Sequence, residues 1–171
     1  MKHLVLTALV AANPLAALAE AHMGQSATAE ITGRDGTDHG TVTLEATPSG
    51  IVHVTLALED VPAGEHGVHI HETGDCSADD FSSAGGHVAG DATHGVMTED
   101  GPHPGDLPNV HVPDSGELTV EYFDARLDLE EHVFDGDGTA FVIHSGPDDY
   151  ESQPSGASGD RIACGVLQAA S

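Results

Sequence analysis

The chain has 171 residues, 39% of them hydrophobic and only 4% aromatic, and its 29 acidic residues against four basic ones give a formal net charge of −25. Such a field excludes nucleic acid and anionic membrane surfaces as partners, and reads as a solvated acidic surface that keeps the protein soluble. The length suffices for one domain with a sizeable core, and no second domain is called for.

At the amino terminus, Lys2 and His3 precede an apolar run from Leu4 to Ala12, and Ala17, Leu18 and Ala19 form a small-x-small cleavage site. This is the pattern of a secretory signal peptide over residues 1–19, cleaved after Ala19 or alternatively after Ala21. The apolar run is too short to span a bilayer. Residues 20–26 are then expected to form a flexible tail and residues 27–171 the folded domain. Cleavage after Ala19 would expose Glu20, Ala21 and His22, and a free amine with histidine in third place can wrap Cu(II) in a square-planar set of nitrogens. It would also remove Lys2 and leave Arg34, Arg126 and Arg161 as the only permanent cations. In the oxidising compartment that export implies, Cys76 and Cys164 favour one disulfide over two free thiols. Such a bridge ties the region after His71 to the C-terminal strand.

Alternating or β-branched runs predict strands at Thr28–Thr32, Thr41–Ala46, Ile51–Leu58, Val68–His71, Asn109–Val112, Glu117–Tyr122, Thr139–His144 and Ile162–Leu167. Turn-forming residues separate them at Arg34–Gly36, Pro48–Gly50, Pro113–Gly116 and Asp135–Gly138. Eight short strands with little helical periodicity imply an all-β fold, an antiparallel sandwich or barrel. Two stretches, Glu72–Pro108 and Ser145–Asp160, are too rich in Gly, Asp, Ser and Pro to be strands. Loops of that length in a compact domain are usually functional or disordered.

The chemistry gathers on these strands and loops. Successive side chains of a strand point to opposite faces, so His69 and His71 in GVHIHETGDC share one face, close enough to grip one metal ion. Imidazole suits zinc, copper, iron and nickel, so the pair alone does not choose among them. Downstream, GGHVAGDATHGVMTEDGPHPGDLPNV supplies His87, His94, His103 and Asp106, three imidazoles and a carboxylate, a set suited to tetrahedral zinc. A loop this poor in hydrophobic residues gains order from such a site. His144, ending the strand Thr139–Ile143, is a further candidate for the first metal. His66 is a candidate support for the ligands, while His39, His53, His111 and His132 read as surface or strand residues.

From about Ala27 to Gln168 these motifs resemble one family, the copper-zinc superoxide dismutases in their exported bacterial form. The resemblance implies an eight-stranded Greek-key barrel or sandwich with two long functional loops, holding one copper and one zinc ion per subunit. It makes His69, His71, His87 and His144 copper ligands, and His87, His94, His103 and Asp106 zinc ligands, with His87 bridging the two ions. It makes Arg161, in GDRIACGV, the residue that handles the anionic substrate, superoxide, and gives His87 a catalytic proton. Cys164 becomes the second disulfide cysteine. Asp148, four residues after His144, matches an aspartate that joins a copper-ligand histidine to a zinc-ligand histidine, here His69 and His94. The implied activity is an oxidoreductase reaction in which two superoxide ions become O₂ and H₂O₂. The implied location is periplasmic or secreted, with monomer and homodimer both open. The second loop departs from the family pattern in lacking any lysine, so the resemblance does not carry over the usual positive rim near the active site. An exported copper or zinc carrier without turnover is the alternative, and an adhesion-like sandwich a weaker one, since it would need no such ligands.

Overall fold

The computed structural model describes residues 24–170. The expected signal peptide over residues 1–19, the alternative cleavage site after Ala21 and the Glu20-Ala21-His22 copper motif lie outside the described residues. Ten strands make up the described chain: β1 (Ser26–Gly33), β2 (Asp38–Ala46), β3 (Val52–Leu58), β4 (Gly64–His66), β5 (Val68–His71), β6 (Val110–Val112), β7 (Leu118–Asp124), β8 (Ala140–His144), β9 (Arg161–Val166) and β10 (Gln168–Ala169). All eight runs that alternation predicted are strands. β1 begins one residue inside the stretch expected to be a flexible tail, because Ser26 pairs with Glu45 and the Gln25 carbonyl accepts from the Ala46 amide at 2.9 Å.

Every pairing is antiparallel, and the main sheet runs β5-β8-β9-β1-β2-β3-β7, with β10 on the far end of β1 and β4-β6 as a separate pair. The chain leaves the β1-β2-β3 meander, crosses to build β4, β5 and β6, and returns to lay β7 against β3. This is a Greek-key path, and the sheet curls so that both ends face one core. β4 and β10 escape a reading by periodicity because Gly64, Glu65 and His66 lack β-branched residues and the two-residue β10 is too short to show alternation.

Alternation decides what faces inward. Ala27, Ala29 and Ile31 of β1, Val42 and Leu44 of β2, and Val54, Leu56 and Leu58 of β3 enter the core with Val68, Ile70, Phe141 and Ile143. The opposite faces of β5 and β8 are also buried, which ordinary amphipathic alternation would not require. The two long loops fold over those faces. Leu129–Val133 forms one π-helical turn whose Leu129 and Val133 are buried, started by Asp128, whose Oδ1 accepts from the Glu130 and Glu131 amides at 2.9 and 3.0 Å.

Cys76 and Cys164 form a disulfide with a Cα separation of 5.9 Å, closing a loop of 88 residues. It seals a small second cluster of Phe81, Ala84, Ala140 and Val142 beneath the first loop. Replacing both cysteines by serine should therefore cost about 2–5 kcal/mol, because the unfolded chain regains its loop entropy. Denaturant unfolding of the two proteins with the same metal content checks this, and equal midpoints would contradict it.

Candidate metal centre

β5 places its side chains in strict alternation: Val68 and Ile70 enter the core, while His69 and His71 project from the other face, 0% and 1% exposed. His144, at the end of neighbouring β8, projects from the same face of the sheet. The first loop is then laid across β5 by main-chain bonds, from the Ile70 amide to Gly105 O at 2.9 Å and from the Val88 amide to Ile70 O at 2.9 Å. Two isolated bridges, His69 with Asp106 and His71 with His87, carry the loop's ligands onto the strand. Gly105 is required at this crossing, since any Cβ there would overlap the Ile70 carbonyl.

Two sets of ligand atoms result, each lying within 4.8 Å of one another: His69, His71, His87 and His144, and His87, His94, His103 and Asp106. His87 belongs to both. Its ring stacks on His69 with centroids 3.9 Å apart and meets the His94 ring edge-on at 5.2 Å.

The first set carries a signature of cation binding in its unpaired atoms. His69 Nδ1, His71 Nε2, His87 Nε2 and His144 Nε2 are buried without a hydrogen-bond partner. The opposite nitrogen of three of these rings is held by an acceptor. His69 Nε2 donates to Asp148 Oδ2 at 2.8 Å, His71 Nδ1 to Gly85 O at 3.0 Å and His144 Nδ1 to Gly159 O at 3.3 Å. Each acceptor claims the ring's single proton, so the lone pairs are left to converge. A buried unsatisfied polar atom costs about 1–3 kcal/mol, and four together are accounted for by a cation that takes their lone pairs. An all-imidazole set suits copper best among the divalent ions.

In the second set, three ring nitrogens crowd one oxygen. His87 Nδ1, His94 Nδ1 and His103 Nδ1 lie 2.8, 3.0 and 3.2 Å from Asp106 Oδ1. Asp106 Oδ2 is occupied by the Gly95 and His103 amides, at 2.9 and 3.0 Å, which turns Oδ1 toward the histidines. Four tetrahedral ligands around zinc stand about 3.3 Å apart, so only small adjustments separate this cluster from a zinc site.

The electrostatics divide the two sets. Burial, reinforced by neighbouring charges, pushes His71 down to about 2 and His144 to about 3, and burial brings His87 to about 4 against the pull of Asp106. Burial also opposes charge on His94, but hydrogen bonds to Asp106 and Asp148 outweigh it and raise His94 to about 9. Burial works against both carboxylates as well, yet their histidine partners hold Asp106 and Asp148 well below the usual carboxylate range.

Arg161 reaches the first set from β9, donating to Phe81 O at 2.7 Å and Gly85 O at 2.6 Å. Gly85 O also accepts from His71, so the guanidinium and a ligand ring share one anchor. Arg161, His71, His87 and His144 line an open cavity of about 430 Å³ together with Glu72 and Ser155. Asp148 bonds both His69 and His94, the latter at 3.0 Å from Oδ1. His66 lies beneath the set, its ring nitrogens 2.8 Å from His144 O and 2.9 Å from Pro62 O. Of the histidines read as surface or strand residues, His53 sits between Glu45 and Glu121, whereas His39 on β2 is buried. Asn109 and Gln153 went unnoticed in the sequence, where a lone carboxamide in a polar loop carries no signal.

A curled antiparallel sandwich with two histidine sets sharing one imidazole defines a dinuclear metalloprotein. The model of the copper/zinc superoxide dismutase family matches residues 38–167, and the chain belongs to that family. It is 40% identical over 150 residues to the Cu-Zn superoxide dismutase of Caulobacter vibrioides, covering 84% of this chain and 86% of that one. It is 41% identical over 145 residues to Cu-Zn superoxide dismutase 1 of Aquifex aeolicus, covering 82% and 86%. Among solved structures it is similar to a SOD-like protein from Bacillus subtilis, with a TM-score of 0.78 and 33% identity over 82% of this chain and 97% of that one.

The contrast between His94 and the first set predicts different proton counts on metal binding. With a pKa near 9, His94 carries a proton at pH 7 in the metal-free protein and must lose it to serve as a ligand. Zinc binding should release close to one proton at pH 7 and progressively less as pH rises through 9. Copper added to the zinc-free protein should displace none from His71, His87 or His144, since His87 keeps its one proton on Nδ1 until zinc takes that nitrogen. Calorimetry in buffers of different ionisation enthalpy measures both counts, and equal counts for the two metals would contradict the assignment.

Proposed function

We propose that the protein disproportionates superoxide at a copper held by His69, His71, His87 and His144, beside a zinc held by His87, His94, His103 and Asp106. The observation that carries this reading is the convergence of four unpartnered imidazole nitrogens on one point, next to an arginine that lines an open cavity. When bound, copper supplies the electron exchange by which one superoxide leaves as O₂ and a second, with two protons, leaves as H₂O₂.

The chain's own residues do the rest. Arg161 is only half buried, and its guanidinium keeps a permanent charge with donors to spare for a small anion. Anchored on Phe81 O and Gly85 O, it holds the substrate against the His71 side of the set. His87 faces the first set through Nε2 and the second through Nδ1, so Nε2 is the atom able to take up a proton beside the substrate and give it back. His87 Nδ1 and Asp106 Oδ1 lie 2.8 Å apart in the second set, where zinc would take both atoms and keep the ring from turning as the proton comes and goes on Nε2. Asp148 fixes the His69 ring through Nε2 and keeps its Nδ1 aimed inward.

A metal carrier on the same fold would have no use for a cation held in an open cavity beside the first set, and Arg161 weighs against that reading. The amino-terminal residues Lys2 to Ala19 support export to the periplasm or beyond, with cleavage after Ala19, and the Cys76–Cys164 disulfide suits an oxidising compartment. Among the described residues no helix is long and apolar enough to cross a membrane.

The net charge of −25 repels superoxide at long range while Arg161 attracts it at contact. Added salt shortens the Debye length to about 8 Å at physiological strength and removes the distant repulsion first. The second-order rate should therefore change little or rise as salt is added from low values, and a steep fall would reveal a positive funnel. Arg161→Glu should lower the rate at least tenfold with both metals retained, and His144→Ala should lose copper. Pulse radiolysis with metal analysis checks all three proteins, and equal rates would overturn the site assignment.

A further inference from the structure

Two carboxamides lie across the gap between the long loops in a reciprocal arrangement. Asn109, at the end of the first loop, donates from Nδ2 to Asp148 O at 2.9 Å and accepts at Oδ1 from the Asp148 amide at 2.8 Å. Gln153, in the second loop, accepts at Oε1 from the His94 amide at 3.0 Å and donates from Nε2 to His94 O at 2.9 Å. Each brackets both main-chain polar groups of one residue in the opposing segment. The two bracketed residues, Asp148 and His94, are the pair joined by the 3.0 Å bond between Oδ1 and Nε2.

A carboxamide is the neutral side chain that offers a donor and an acceptor side by side, the complement of a residue's own N–H and C=O. Bracketing both groups removes the freedom of that residue to translate or rotate. The surroundings add to the restraint: the Asn109 amide donates to the Tyr150 hydroxyl at 2.8 Å, and the Met97 amide to Tyr150 O at 3.1 Å. Gly156 closes the far side, where a Cβ would overlap Asp148 Oδ1 and stand 2.6 Å from His94 Nε2. The chain thus spends two carboxamides and a glycine on keeping one hydrogen bond in place.

We propose that Asn109 and Gln153 are positioning residues that let zinc occupancy set the orientation of the copper ligand His69. The route is short. A ligated His94 presents Nε2–H to Asp148 Oδ1, Asp148 Oδ2 accepts from His69 Nε2, and His69 Nδ1 faces the copper set. With either bracket removed, the His94–Asp148 bond loosens and the His69 ring no longer follows zinc occupancy, which leaves the shared His87 ring to couple the two sites. This rests on the copper and zinc assignment made above.

Gln153 is exposed, so its truncation leaves no cavity in the core. The test uses the full exported protein loaded with both metals, as wild type, Gln153→Ala, Asn109→Ala and Gly156→Ala. Two readouts follow: the rate of zinc transfer to a chromogenic chelator, and the Cu(II) electron paramagnetic resonance spectrum with and without zinc. Removing a group that orients metal ligands costs about tenfold or more in metal affinity, so zinc should leave the first two variants about tenfold faster. Their copper spectrum with zinc present should move toward that of the zinc-free wild type, and Gly156→Ala, which obstructs the same bond directly, should give the same displaced spectrum. Gln153→Glu keeps the acceptor for the His94 amide but faces the His94 carbonyl with a second oxygen, and should behave as Gln153→Ala. Wild-type zinc release and an unmoved copper spectrum in Gln153→Ala would overturn the inference while leaving the metal assignment intact. A wild type that takes up neither metal would overturn both.

Discussion

Everything in this protein turns on the rigid aiming of imidazole lone pairs. A free histidine can rotate, swap tautomers and take a proton, and each of these spoils it as a ligand. Here the outward nitrogen of each first-set ring is occupied: Asp148 holds His69, Gly85 O holds His71, Gly159 O holds His144 and Asp106 holds His87. Burial then makes protonation unfavourable at His71, His87 and His144. The same two devices, an acceptor behind and a dry environment around, leave one sharp site open to a cation.

The architecture follows from that demand. A sheet can deliver His69 and His71 to one face at fixed spacing, and antiparallel β8 brings His144 alongside, but three ligands on one sheet face leave it open to water. The first loop closes it by crossing β5 at Gly105 and setting His87 opposite. That loop buries few large apolar side chains, so its order comes from main-chain bonds to β5, from the disulfide to β9 and from the second ligand set. The carboxylates serve both tasks at once: Asp106 gathers three histidines within the first loop, and Asp148 of the second loop binds His69 of β5 and His94 of the first loop, thereby joining loop to loop.

Charge sets a tension that the fold resolves locally. A chain with 29 acidic residues is a poor collector of anions, and in the proposed function the one arginine lining the cavity compensates at short range. The guanidinium can do so because Phe81 O and Gly85 O keep it pointed at the copper set rather than paired with a surface carboxylate. Asp80 remains near enough to support its charge while burial lowers its pKa.

The sequence by itself determined the strands, because a period of two in short β-branched runs is a local property, and it determined the ligand types through HxH, HPGD and the histidines of the first loop. It also made a single disulfide the natural end for two cysteines. Only the tertiary structure decided which nitrogen of each ring faces inward, since that depends on acceptors such as Gly85 O and Gly159 O that come from distant segments. The short strands β4 and β10 exist only through pairing. The roles of Asn109 and Gln153 belong to the same class: a carboxamide in a loop has no meaning until another segment presents its backbone at hydrogen-bonding distance.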